Sequence, residues 1–169
     1  MTKELQHKIY DLLKSLVLPE VRYNNDLMNI LSSIWDVYQR AATGEDYRYK
    51  VLGDEIEKHF IMNDDWTDDK LFLSILKIFD DESKFIHFVE LLTSVFRANG
   101  AFEHYLKLLS VLLIEENLVL YEEQTEQGQT VYRIGDKVNK PQIPDNALKF
   151  YVRESNISNA VLFLEKDIK

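Results

Sequence analysis

Apolar residues return every three to four positions along the first hundred residues. Leu5, Ile9, Leu12, Leu13 and Leu16 mark one helical stripe, which Pro19 is expected to stop. After a polar break at Tyr23–Asn25, the set Leu27, Ile30, Leu31, Ile34 and Tyr38 repeats the period up to Gly44, with Asn25 or Asp26 as the N-cap. Asp46–Phe60 carries Tyr49, Leu52, Ile56 and Phe60 on one stripe, and Leu71–Phe79 and Phe85–Phe96 behave in the same way. Asn99-Gly100 reads as a helix end, because glycine accepts the left-handed conformation that closes helices. A further helix is predicted over Phe102–Ile114.

The period changes after Ile114. Leu118–Glu123 and Thr130–Ile134 are short β-favouring runs separated by a polar segment containing Gly128, which predicts an antiparallel hairpin. Pro141 and Pro144 then punctuate the chain before Leu148–Leu164, a stretch rich in β-branched and aromatic residues that fits a helix, strands on the core, or the first element of a second domain. The expected fold is therefore mainly α, a multi-helix bundle with a C-terminal antiparallel β-hairpin and a winged-helix-like end. Residues 1–136 form the module, and 137–169 form a linker or tail, or the start of a downstream domain. There is no internal repeat and no low-complexity segment.

A chain of 169 residues, 46% hydrophobic, is large enough for one core without disulfides or metals. Its net charge of -9 disfavours binding to nucleic-acid phosphates and to anionic membranes, both of which need clustered Lys and Arg. No leader opens the sequence and no apolar run approaches the roughly 20 residues of a membrane helix, so the expected location is the cytoplasm. The absence of cysteine removes thiolate catalysis and thiolate metal sites, leaving oxygen and imidazole chemistry.

The five glycines are too dispersed to build a P-loop or a dinucleotide fingerprint, and no cofactor is expected. The acid-rich stretch Asn63–Asp69 has no calcium-loop glycine and no terminal bidentate Glu, so it is not an EF-hand. A looser metal site from Asp64, Asp65, Asp68 and Asp69 is the alternative to a structural turn. In the structural reading, Thr67 or Asp68 caps the next helix, the acids offset its dipole, and Trp66 plugs the turn onto the core. His7, His59, His87 and His104 never pair at the spacing that aims two imidazoles at one metal. His59, one turn before the acids, is the best placed of the four for a functional role.

Arg97 and His104 have the Arg-x6-His form of the HEPN ribonucleases, in which arginine and histidine act on the scissile RNA phosphate. Here Ala98 follows the arginine and Asn99-Gly100 separates the pair, placing them on two helices.

Three blocks, "GDEIEKHFIMNDDWTDD", "DDESKFIHFVELLTSVFRANG" and "NLVLYEEQTEQGQTVYRI", together resemble the AbiJ N-terminal domain of the third type, from bacterial abortive-infection proteins. Gly53, Asp54, His59, Asn63, Asp64, Asp65, Trp66, Phe85, Phe88 and Glu90 occupy the motif positions, across about Tyr47–Ile134. The proline expected after the "FxxFxE" helix is missing from Thr93–Phe96. The resemblance implies a non-catalytic sensor, regulatory or interaction module of an anti-phage protein, working with a protein partner or a fused effector domain, with the motif residues as interaction candidates. A HEPN-like ribonuclease and a stand-alone oligomerising adaptor are the alternatives.

Overall fold

The computed structural model describes residues 1–22, 25–41, 49–63 and 65–137. Asp64, the 42–48 stretch and the tail from 138 onward, where parts of the sequence reading fall, lie outside these residues.

The first stripe forms a helix, but Pro19 does not stop it. Helix α1 (Lys3–Leu12) is capped by Thr2, whose hydroxyl accepts the Leu5 N–H at 3.2 Å. It runs through a π-turn, Leu13–Val17, into α2 (Leu18–Val21). The Leu18 N–H reaches back to the Leu13 carbonyl, and Pro19 falls in the first turn of the new segment. A first-turn residue needs no intrahelical donor, so the proline is accommodated there.

Helix α3 (Asn25–Ile34) ends well before Gly44. Trp35 and Val37 turn into the core while Tyr38 is 81% exposed, which removes Tyr38 from the predicted stripe. The chain then doubles back on itself. The Ala41 N–H donates to the Lys50 carbonyl, the Leu52 N–H to the Gln39 carbonyl, and Arg40 bridges Val51. Helix α4 (Leu52–Glu55) follows and widens into the π-turn Ile56–Met62. A third wide turn, Lys70–Ile75, leads to α5 (Glu82–Phe96), whose cap Asp81 accepts the N–H groups of Ser83 and Lys84 at 3.0 and 3.2 Å. With no proline at Thr93–Phe96, α5 runs on unbroken to Phe96.

The turn after α5 is built by Asn99 rather than by a left-handed Gly100. The Asn99 side-chain oxygen accepts the Ala101 N–H at 2.8 Å, and its backbone joins Phe96 to Phe102. Helix α6 (Phe102–Ile114) spans the predicted range and is closed by Asn117 at φ 58, a conformation asparagine tolerates better than most residues. Strands β1 (Leu118–Gln124) and β2 (Thr130–Asp136) pair antiparallel, with Leu120 opposite Ile134 and Glu122 opposite Tyr132. Gly128 takes φ 80 in the connecting loop, as a tight hairpin turn requires.

One aromatic cluster holds these elements together. The Phe88 ring lies 5.3 Å from Phe72 and 5.6 Å from Trp35, and Phe72 meets Phe60 edge-on at 5.7 Å. Tyr10 joins from α1 at 6.2 Å from Phe72. Leu120, Tyr132 and Ile134 bring one hairpin face into the same core.

Candidate functional site

The motif begins where two backbones nearly touch. The Gly53 N–H donates to the Val37 carbonyl at 2.8 Å, and a Cβ on residue 53 would sit 3.3 Å from that oxygen. Glycine permits this approach. Asp54, in the first turn of α4, is exposed and lines a shallow hollow with Tyr49, Glu57, Lys58 and Met62.

The acid-rich turn is pinned from both sides. A helix leaves its last carbonyls without intrahelical donors; at the end of Ile56–Met62 the Lys58 carbonyl takes the last bond of the ladder, and the next two carbonyls find partners outside it. Lys58 accepts from the Asn63 N–H at 3.1 Å, His59 from the Trp66 N–H at 2.9 Å, and Phe60 from the Arg22 Nε at 2.9 Å. Arg22 also donates to the Trp66 carbonyl at 3.0 Å, lays its guanidinium 3.9 Å from the Phe60 ring centre, and stands 3.7 Å from Asp68. A cation is favoured at this negative end of the helix. Sequence reasoning missed Arg22, which belongs to no periodic pattern.

Trp66 is 6% exposed, and its indole stacks on the His59 ring at 5.1 Å. The His59 Nδ1 lies 3.0 Å from the Asp65 carboxylate. Thr67 is the N-cap, its hydroxyl accepting the Lys70 N–H at 3.1 Å. Asp69 accepts the Tyr10 hydroxyl at 2.9 Å and the Lys14 ammonium at 3.2 Å. The Tyr10 hydrogen bond, helped by Lys14, holds the Asp69 carboxyl below its ordinary range. Each acid of the described turn thus has a partner: Asp65 has His59, Asp68 has Arg22, and Asp69 has Tyr10 and Lys14. Among the described residues, no three of His, Cys, Asp and Glu are grouped so as to hold a metal ion.

Of the other motif residues, Phe85 and Phe88 are fully buried in the core. Glu90 is nearly so, and its carboxylate accepts the Ile134 N–H at 2.7 Å. One turn on, the Ser94 hydroxyl accepts the Tyr132 N–H at 3.1 Å, and Arg97 then donates to the Thr130 carbonyl. All three backbone groups point away from β1, so α5 seals the outer edge of β2 along positions 90, 94 and 97. An open strand edge is a template for unwanted pairing, and covering it with a helix is one of the ways proteins protect it. Arg97 is the C-cap of α5, whereas His104 is exposed on the first turn of α6. Of the remaining histidines, His7 packs on Phe79 with ring centres 4.3 Å apart, and His87 lies 3.7 Å from Glu90.

Three buried phenols give the domain a pH limit. Burial first, then the nearby Glu122 carboxylate, pushes Tyr132 up to about 12. Burial raises Tyr105 despite its Thr93 hydrogen bond, and burial with Asp69 raises Tyr10. A pKa raised in the folded state contributes stability that is present below the unfolded value of ~10 and is lost as pH rises through the folded value. Ionisation of these three tyrosines, followed by absorbance near 295 nm, should therefore coincide with loss of helical circular dichroism above pH ~10. Their ionisation with the helical signal intact would contradict the burial.

These features define a mainly helical domain closed by a hairpin, in which the motif side chains of His59, Asp65, Trp66, Phe85, Phe88 and Glu90 form internal ties. No helix among the described residues is long and apolar enough to cross a membrane. The chain belongs to the family described as AbiJ N-terminal domain 3, whose family model matches residues 1–134. The match takes in the N-terminal helices, which carry no sharp motif, and by name it associates the chain with abortive infection, an anti-phage response. No curated protein and no solved structure matches the chain significantly.

Proposed function

We propose that this chain is a non-catalytic sensor or regulatory module of an abortive-infection protein, acting through a protein partner or a fused effector domain. An N-terminal domain by description is a part that works with other parts. The observation that carries the reading is how the motif's polar side chains are engaged. Asp65, Asp68, Asp69 and Glu90 each meet a cation, hydroxyl or N–H of their own fold. A carboxylate held in this way positions helices and turns; a general acid or base must instead reach a substrate proton.

The same logic applies to Arg97, whose guanidinium is directed at the Thr130 carbonyl. A shared phosphate needs both catalytic groups on one rigid face, and a ~1 Å displacement can cost about a hundredfold in rate. The purified chain should leave single-stranded RNA uncut. Cleavage abolished by both Arg97→Ala and His104→Ala, with folding retained, would make the pair an active site and overturn the module reading.

A metal-dependent hydrolase at the acidic turn makes a separate prediction. A ligand that binds only the folded state raises the melting temperature by mass action. Magnesium, calcium or manganese should therefore leave it unchanged within about 1 °C. A rise that disappears in Asp68→Ala would assign the turn to metal instead.

A further inference from the structure

One face of the segment that opens on Gly53 stays out of the core. Leu52, Ile56 and Phe60 are buried, while Asp54, Glu57, Lys58 and Met62 return at helical spacing on the other side. Met62 is 67% exposed, a large apolar side chain left in water. With Tyr49, these four line the shallow hollow, about 390 Å³ in volume. Among the described residues, no hydrogen bond or ion pair engages the side chains of Asp54, Glu57 or Lys58. Asp65, Asp68 and Asp69 in the neighbouring turn are tied to their own fold. The two carboxylates of the hollow are left to meet something else.

The hollow is held in shape from behind. Gly53 is pinned to the Val37 carbonyl, which fixes where Asp54 starts this face. The Tyr49 ring meets His59 edge-on, with ring centres 6.0 Å apart, and His59 in turn stacks on Trp66. A surface set before binding loses less freedom when a partner arrives. Its chemistry is selective as well. Residues three apart on a helix face, as Asp54 and Glu57 are, have Cβ atoms about 5–6 Å apart. A guanidinium, with its planar fork of five N–H donors, is shaped to bridge two such carboxylates, whereas an ammonium is a compact point charge. Guanidinium groups also settle on aromatic rings, and the aliphatic stem of arginine covers apolar neighbours, here Tyr49 and Met62. Two carboxylates against the ammonium of Lys58, in a chain of net charge -9, repel a phosphate. A shallow, open hollow suits a side chain borne on a protein segment, since small molecules bind in clefts that enclose most of their surface.

We propose that this hollow receives an arginine carried on a segment of the partner or fused effector, which rests on the reading of the chain as an interaction module and adds the chemistry it recognises. The guanidinium lies between Asp54 and Glu57, its plane against Tyr49 and its stem on Met62.

The test titrates the full chain, labelled for amide NMR, with the capped peptide Gly-Leu-Arg-Leu-Gly. Saturable shifts of the amides of Tyr49 and of Gly53 to Met62 are expected below ~10 mM peptide. The double variant Asp54→Asn, Glu57→Gln removes both charges at exposed positions without changing their shape, so its amide spectrum away from the hollow should be unaltered. Its affinity for the peptide should fall roughly tenfold or more. The same peptide with lysine in place of arginine should bind more weakly, and with norleucine not measurably. The absence of a saturable shift at these amides, unchanged affinity in the double variant, or equal binding of the lysine or norleucine peptide would each overturn the proposal. Because the peptide reports on this hollow alone, such a result leaves the module reading standing. RNA cleavage through Arg97 and His104 would remove that reading without moving the contacts of the peptide.

Discussion

Phe88→Ala is expected to lower stability by about 3–5 kcal/mol, the usual cost of emptying a buried aromatic site. Phe88 is fully buried between Trp35 and Phe72, on rigid α5, so the surroundings have little freedom to collapse into the space. For a chain of this size the melting temperature should fall by about 6–20 °C. Denaturant unfolding with an unchanged slope would confirm that the loss lies in the folded state. A midpoint within a degree or two of the parent would mean that Phe88 is not at the centre of the core.

Trp66→Ala is expected to cost a similar ~3–5 kcal/mol, by a different route. Its indole carries the His59 ring, and its backbone links His59 to Arg22. Without the indole, the turn loses its plug while Arg22 still holds the Phe60 carbonyl. Hydrogen exchange should therefore quicken first around Asn63–Thr67, ahead of the α5–α6 pair. Trp66→Phe should recover part of the loss. Full stability in the alanine variant, with binding to a partner lost, would place Trp66 on a recognition surface instead.

What could be read from the sequence divides along physical lines. Leu106, Leu109 and Leu113 on α6, and Phe85, Phe88 and Leu92 on α5, announce their burial because a packed stripe repeats with the helix itself. The hairpin was legible for the same reason, through its change of period and Gly128. The wide turns were not. Whether an N–H reaches back four residues or five leaves no trace in an apolar pattern, so Pro19 looked like a stop although the π-turn before it had already reset the ladder. Tyr38 fell on a helical stripe by coincidence, while the neighbouring Trp35 took the buried place. Thr67 was one of two expected caps because a cap is local. Arg22 could not be foreseen, because its partners Phe60 and Trp66 lie 38 and 44 residues away. Glu90 stood at a motif position, but its role depended on a strand 44 residues later.

That role sets a length standard for the hairpin. From Glu90 to Ser94 a helix advances about 6.0 Å, and from Ile134 to Tyr132 a strand advances about 6.8 Å, so the two repeats nearly agree. From Glu90 to Arg97 the helix covers about 10.5 Å against about 13.6 Å for the strand down to Thr130, a shortfall of about 3 Å. At that third mark the side chain is an arginine, long enough to make up the difference. Helix α5 therefore acts as a ruler laid along β2, graduated by one carboxylate, one hydroxyl and one guanidinium. If the strand slipped by a single residue, every outward-facing group would be replaced by an inward-facing one, and the carboxylate of Glu90 would stand buried with no N–H to meet it. A hairpin one residue out of register would lose all three of these ties to α5 at once.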